Sequence, residues 1–122
     1  MFPKNSLCPD GVYAAAVLAA TASQKSVHSL VDSIPQYPVI RGSLASERVR
    51  APELRTRLLS LEPASIHDAD GLKLVFDEAW LLVRPSGTEP KIRITVEAKN
   101  ETRARELYNA AAGAIEAARG PD

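Results

Sequence analysis

The sequence is poor in cysteine: Cys8 is the single one in 122 residues. An internal disulfide is therefore excluded, and so is a zinc site built on cysteines. One cysteine fits a reducing compartment, so a cytoplasmic location is expected. Net charge is lacking too, because fifteen Lys and Arg match fifteen Asp and Glu. A balanced chain has no general attraction for nucleic acid or for an anionic membrane surface. No membrane partner is expected: the apolar run at residues 12–20 has nine residues, whereas a bilayer span needs about 20. That run, followed by Ala20-Thr21-Ala22, has the outline of a secretory leader. Its flank is wrong for one, because Lys4 is offset by Asp10, with Pro9 and Gly11 alongside.

What is present is ordinary for a folded domain. The chain is 45% hydrophobic and 25% charged, which argues against wholesale disorder. Its length suits one domain with room for an appendage, and it can bury a core without staples. After an irregular start, Asp10 caps an Ala-rich helix over residues 12–24. Ser26 opens a second helical stretch with Val27, Leu30, Val31 and Ile34 at helical spacing, and Pro35 stops it. Gln36-Tyr37-Pro38 reads as a hinge.

From Val39 the pattern changes. Residues 39–44 read as a strand weakened by Gly42. Pro52 sits in the first turn of a helix that places Leu54, Leu58 and Leu61 on one face, and Pro63 ends it. Asp68-Ala69-Asp70-Gly71 is turn chemistry. Leu72, Leu74 and Phe76 alternate with Lys73 and Val75 as a half-buried strand; Asp77-Glu78 is a tight turn; residues 80–84 are the next strand. Ile92, Ile94 and Val96 mark another, and Asn100 caps a last helix over 101–119 whose inner stripe is Leu107, Ala111, Ile115 and Ala118. Gly120-Pro121 stops it. The fold expected is α+β: a mainly antiparallel four-stranded sheet with two helices on one face, preceded by a short helical N-terminal segment.

The chemistry concentrates in Arg84-Pro85-Ser86-Gly87-Thr88-Glu89-Pro90-Lys91-Ile92-Arg93. A phosphate group wants hydroxyls, backbone N–H groups and a guanidinium aimed at one point. Ser86 and Thr88 carry hydroxyls. Gly87 leaves room for an anion, and a positive φ there would turn successive N–H groups into a nest. Arg84 and Arg93 stand where either can close a bidentate grip. Prolines at both ends reduce the ordering cost of binding. A plain strand connection made of turn residues accounts for the same spacing, and the Walker P-loop pattern is absent.

This decapeptide, with Val96-Glu97-Ala98 after it, closely resembles the C-terminal phosphate-binding loop of the α-D-phosphohexomutases, the phosphoglucomutase, phosphomannomutase and phosphoglucosamine mutase family. Asp10-Gly11-Val12-Tyr13-Ala14-Ala15 looks like the helix that closes the family's third domain, and residues 34–41 are similar to the linker into the fourth. The resemblance implies that residues 1–37 are a helical remnant plus linker and 38–122 the C-terminal domain. It also implies a phosphate site made of Arg84, Ser86, Gly87 and Thr88, with Arg93 as an adjunct. Its partner would be the phosphate of a hexose phosphate.

The family's phosphoserine loop (Thr-Ala-Ser-His-Asn-Pro), its Asp-Gly-Asp-x-Asp-Arg metal loop and its Gly-Glu-x-Ser-Gly-His sugar loop are not in this sequence. Thr21-Ala22-Ser23-Gln24 starts like the first of these but lies in the Ala-rich helix. The expectation is an isomerase domain that needs domains 1–3 of a parent enzyme. Alone it would be catalytically inactive, with no catalytic residue, cofactor or metal site of its own; Mg²⁺ is implied for the full-length enzyme. The domain would hold the non-reacting phosphate while the other end of the sugar faces the phosphoserine. The alternative is a small non-catalytic module that senses phosphosugars, or binds RNA through Arg48, Arg50, Arg55 and Arg57. Those arginines lack aromatic companions and read as a solvated face. Glu89 is expected to accept hydrogen bonds from the loop or to pair with Lys91 or Arg84, His28 and His67 to be surface or cap groups, and Trp80 to pack in the core.

Overall fold

The computed structural model describes residues 10–120. The irregular start with Cys8, and Pro121 of the expected helix stop, lie outside the described residues. The chain divides into two compact units, 1–36 and 37–122. The first holds helices α1 (Gly11–Ala22) and α2 (Val27–Asp32). Asp10 Oδ1 accepts from the Tyr13 amide at 2.8 Å, so the expected cap of α1 forms, and Ser26 Oγ accepts from the Ser29 amide at 3.5 Å at the start of α2.

The second unit runs β1 (Val39–Ala45), α3 (Ala51–Leu59), β2 (Ser65–His67), β3 (Leu72–Phe76), β4 (Ala79–Pro85), β5 (Lys91–Ala98), α4 (Glu101–Ala117). The strands form one antiparallel sheet in the order β1-β5-β4-β3-β2. This corrects the expected four-stranded sheet: among the described residues there are five strands and, with α1 and α2, four helices. The additional strand is β2, an edge of three residues, all exposed. It has no buried side to impose an alternating pattern, so its pairing to β3 comes from the neighbouring backbone rather than from its own side chains.

α3 carries the chain from one edge of the sheet to the other, and α4 packs across β5, β1 and β4. Strand periodicity then decides which side chains are dry. Leu74, Leu81, Val83, Ile94 and Val96 point toward the helices and meet Leu58, Ala104, Leu107, Ala111 and Ile115 in one core. The opposite face carries Trp80, Leu82 and Arg84 on β4, with Arg93, Thr95 and Glu97 beside them on β5. It is half-buried or exposed throughout. Trp80 is thus on the open face and outside the core, contrary to expectation. Ala79, Leu81 and Val83 take the inward phase of β4, and the indole N–H donates to Glu97 Oε1 at 3.1 Å.

Two close approaches lock the unit. Gly42 in β1 leaves room for Tyr108 of α4: a Cβ at 42 would stand 2.0 Å from the phenol oxygen. The end of α4 is tied to the segment before α3, because the Arg50 amide donates to Ala118 O at 3.0 Å and the Gly120 amide to Arg48 O at 2.9 Å.

Candidate functional site

The β4–β5 connection sits at one end of the sheet. Pro85 is the last residue of β4 and Pro90 precedes β5, so proline brackets Ser86, Gly87, Thr88 and Glu89. The base of the loop is closed by its own backbone. The Ser86 amide donates to Lys91 O at 2.8 Å, and the Lys91 amide to Glu89 O at 2.7 Å. Pro90 O accepts from the Ser46 amide at 2.9 Å, which ties the loop to the end of β1. Among the described residues the amides of Gly87, Thr88 and Glu89 donate to no backbone carbonyl. That leaves a run of N–H groups at an exposed turn.

The side chains divide by exposure. Thr88 is exposed. Ser86 Oγ is buried and without a hydrogen-bond partner among the described residues. Such an orphaned hydroxyl costs about 1–3 kcal/mol. Gly87 has open space around its Cβ position, but among the described residues the only glycine with positive φ is Gly71. The nest expected from a left-handed Gly87 is therefore not formed; this glycine keeps the loop surface clear without a special backbone conformation. Glu89 accepts from Lys91 Nζ at 3.3 Å, which turns its charge toward a cation.

Arg84 and Arg93 are direct cross-strand partners on the open face. On an antiparallel pair this puts their Cβ atoms about 4.5–5.5 Å apart, a spacing at which two like charges repel. Arg93 also faces Ser43 of β1, and Arg41 faces Thr95 one row away. Arg84 Nη1 donates to Asp70 Oδ2 at 3.1 Å; Arg93 has no carboxylate partner among the described residues. Asp70 was not among the site residues expected from sequence. The signal for it was legible, because the two-residue turn at Asp77-Glu78 sets the β3–β4 register and brings Gly71 against Arg84.

The remaining candidates resolve into ordinary surface chemistry. Arg50 and Arg55 pair with Glu53 at 2.6 Å and Asp68 at 3.5 Å. His28 lies 3.3 Å from Asp32 on α2, and His67 is exposed on β2. Lys73 stands 4.6 Å from the Trp80 ring centre. Among the described residues no three His, Cys, Asp or Glu side chains converge to hold a metal. No helix among them is long and apolar enough to cross a membrane. Beneath the loop on the helix side, Leu54, Leu58, Leu72, Val83 and Ile92 line an apolar groove; polar and cationic groups gather on the other face.

The second unit is an α+β domain with one open sheet face that ends in a proline-bracketed loop. The sequence profile of the phosphoglucomutase/phosphomannomutase C-terminal domain matches residues 44–114. The chain belongs to the phosphoglucomutase/phosphomannomutase family, by its C-terminal domain. A probable phosphoglucosamine mutase of Methanosarcina barkeri is 43% identical, the match covering 81% of this chain and 23% of the relative. One of Methanocella arvoryzae is 39% identical over 91% of this chain and 26% of its own length. The chain thus spans about a quarter of the length of these curated relatives. A phosphoglucomutase/phosphomannomutase family protein from Burkholderia thailandensis shares the fold, with a TM-score of 0.68 at 20% identity, over 89% of this chain and 24% of that one.

Proposed function

We propose that the β4–β5 loop binds the phosphate of a hexose phosphate, and that the chain serves as the C-terminal domain of a phosphohexomutase. The observation that carries this reading is the convergence at one end of the open face. Two arginines face each other across β4 and β5, and the proline-bracketed loop between them presents a free hydroxyl and unengaged amides. Arg84 and Arg93 neutralise the dianion, and Thr88 and the Gly87–Thr88 amides donate to its oxygens. Ser86 Oγ, buried at the base of the loop and without a partner among the described residues, is the remaining hydroxyl offered to it. Charge-assisted hydrogen bonds of about 1.5–3 kcal/mol each make three or four sufficient for useful affinity.

The domain makes and breaks no bonds. By holding one phosphate it fixes where the rest of the sugar lies, which is catalysis by positioning. Binding energy from this remote group also favours closure of the cleft formed with the other domains. Residues 1–37 are the end of the preceding domain with its linker, and 38–122 the phosphate-binding domain. The 122-residue chain alone is inactive, since it has neither phosphoserine nor metal loop. The working location is the cytoplasm. Nucleic acid is disfavoured as a ligand, because Arg50 and Arg55 are engaged by acidic neighbours.

Calorimetric titration with glucose 6-phosphate tests the reading. Wild type is expected to bind, and Arg84→Ala with Ser86→Ala to lose binding by at least tenfold. Unchanged affinity in the double variant overturns it. Turnover of glucose 1-phosphate by the chain alone would contradict the non-catalytic role.

A further inference from the structure

We propose that Asp70 is the internal counter-ion of Arg84, displaced when phosphate binds, and that it thereby sets the affinity of the loop. This rests on the phosphate-binding reading above. Arg84 and Arg93 are opposed on one face, so two like charges lie side by side. Among the described residues Asp70 is the one carboxylate in contact with either, through a single contact at 3.1 Å. The Asp70 side chain is 81% exposed and Arg84 is 40% exposed. An ion pair this wet is weak, about 0–1 kcal/mol, so an incoming anion can replace it.

The placement of Asp70 is built in rather than incidental. Gly71 has φ +84° and stands so close to β4 that a Cβ there would lie 2.4 Å from the Arg84 Cβ. The turn before β3 therefore holds Asp70 beside Arg84, on the side away from Arg93. Asp70 draws the Arg84 guanidinium toward β3 and apart from its partner. A phosphate oxygen between the two arginines draws it back. Asp68, on the same turn, is engaged elsewhere by Arg55 at 3.5 Å. Lys73, the nearest other cation on β3, lies over Trp80. The exchange thus involves Asp70 and not the turn's acidity at large.

Inorganic phosphate, titrated into the full 122-residue chain, tests this. Asp70→Asn is expected to tighten binding about two- to fivefold, the removal of a weak competing ion pair. Asp68→Asn is expected to leave affinity unchanged. In wild type the amides of residues 68–71 are expected to shift with the loop amides in NMR spectra. In Arg84→Ala the 68–71 shifts vanish. Affinity that is unchanged or weaker in Asp70→Asn overturns the proposal, as does an equal gain in Asp68→Asn, even where the loop binds phosphate. Absence of binding by wild type and both variants overturns the phosphate reading itself, and this proposal with it. Asp70 is too exposed for its replacement to disturb the core, and matching circular dichroism spectra check that.

Discussion

Gly71 lies against Arg84 so closely that any side chain at 71 meets the β4 backbone: a Cβ would come within 2.7 Å of Val83 O and 3.0 Å of the Arg84 Cα. The same residue has φ +84°, which L side chains rarely adopt. Gly71→Ala is therefore expected to destabilise the unit by about 1–3 kcal/mol. Urea unfolding measures it, and an unchanged midpoint would contradict the close approach.

Gly42 and Tyr108 make the corresponding contact on the helix side. Gly42→Ala forces the Tyr108 ring to move, since its Cζ would be 2.8 Å away and its hydroxyl nearer. The expected cost is about 1–3 kcal/mol. Repeating the substitution in a Tyr108→Leu background should recover part of it. A loss that is the same in both backgrounds would show that the ring is not what the added methyl meets.

Trp80 and its neighbour Leu81 test the two faces of the sheet. Leu81 is fully buried, whereas Trp80 faces outward and bonds to Glu97. Leu81→Ala is expected to cost about 2–5 kcal/mol, and Trp80→Phe under about 1 kcal/mol, as for surface changes. Thermal unfolding ranks them. The reverse order would return the indole to the core.

Lys99, the residue after β5, adds a pH-dependent contribution. Its ammonium has a pKa raised above the usual 10.5, first by a hydrogen bond to Glu78 and then by that carboxylate's charge. A cation with a raised folded-state pKa stabilises the fold below the unfolded value, and this is lost as pH rises through the folded value. The melting advantage of wild type over Lys99→Gln is expected to be constant near neutrality and to shrink above about pH 10.5. Both side chains are exposed, so the advantage is small and falls with salt. An advantage that grows in alkali would contradict the sign.

Much of this architecture is legible in residues. Leu72, Leu74 and Phe76 alternate and form β3, while Asp10, Ser26 and Asn100 cap the helices they precede. β2 was hidden because Ser65, Ile66 and His67 bury nothing. The side of Trp80 was ambiguous because both phases of β4 are apolar: Ala79, Leu81 and Val83 on one, Trp80 and Leu82 on the other. Tertiary packing decided between them, and the helices took the smaller set. At the site, Arg84 and Arg93 are recognisable as residue types, but their direct opposition depends on the β4–β5 register. A loop of irregular backbone does not reveal that register. Gly87 reads as a left-handed position from composition, yet its φ is not positive and open space surrounds its Cβ position.

The central claim is that the β4–β5 loop grips a phosphate. Amide chemical-shift mapping of the full chain with glucose 6-phosphate tests it most directly. The account predicts saturable shifts at residues 84–93, centred on Gly87 and Thr88 and abolished by Arg84→Ala. Shifts confined to other parts of the chain, or none at millimolar ligand, would contradict it.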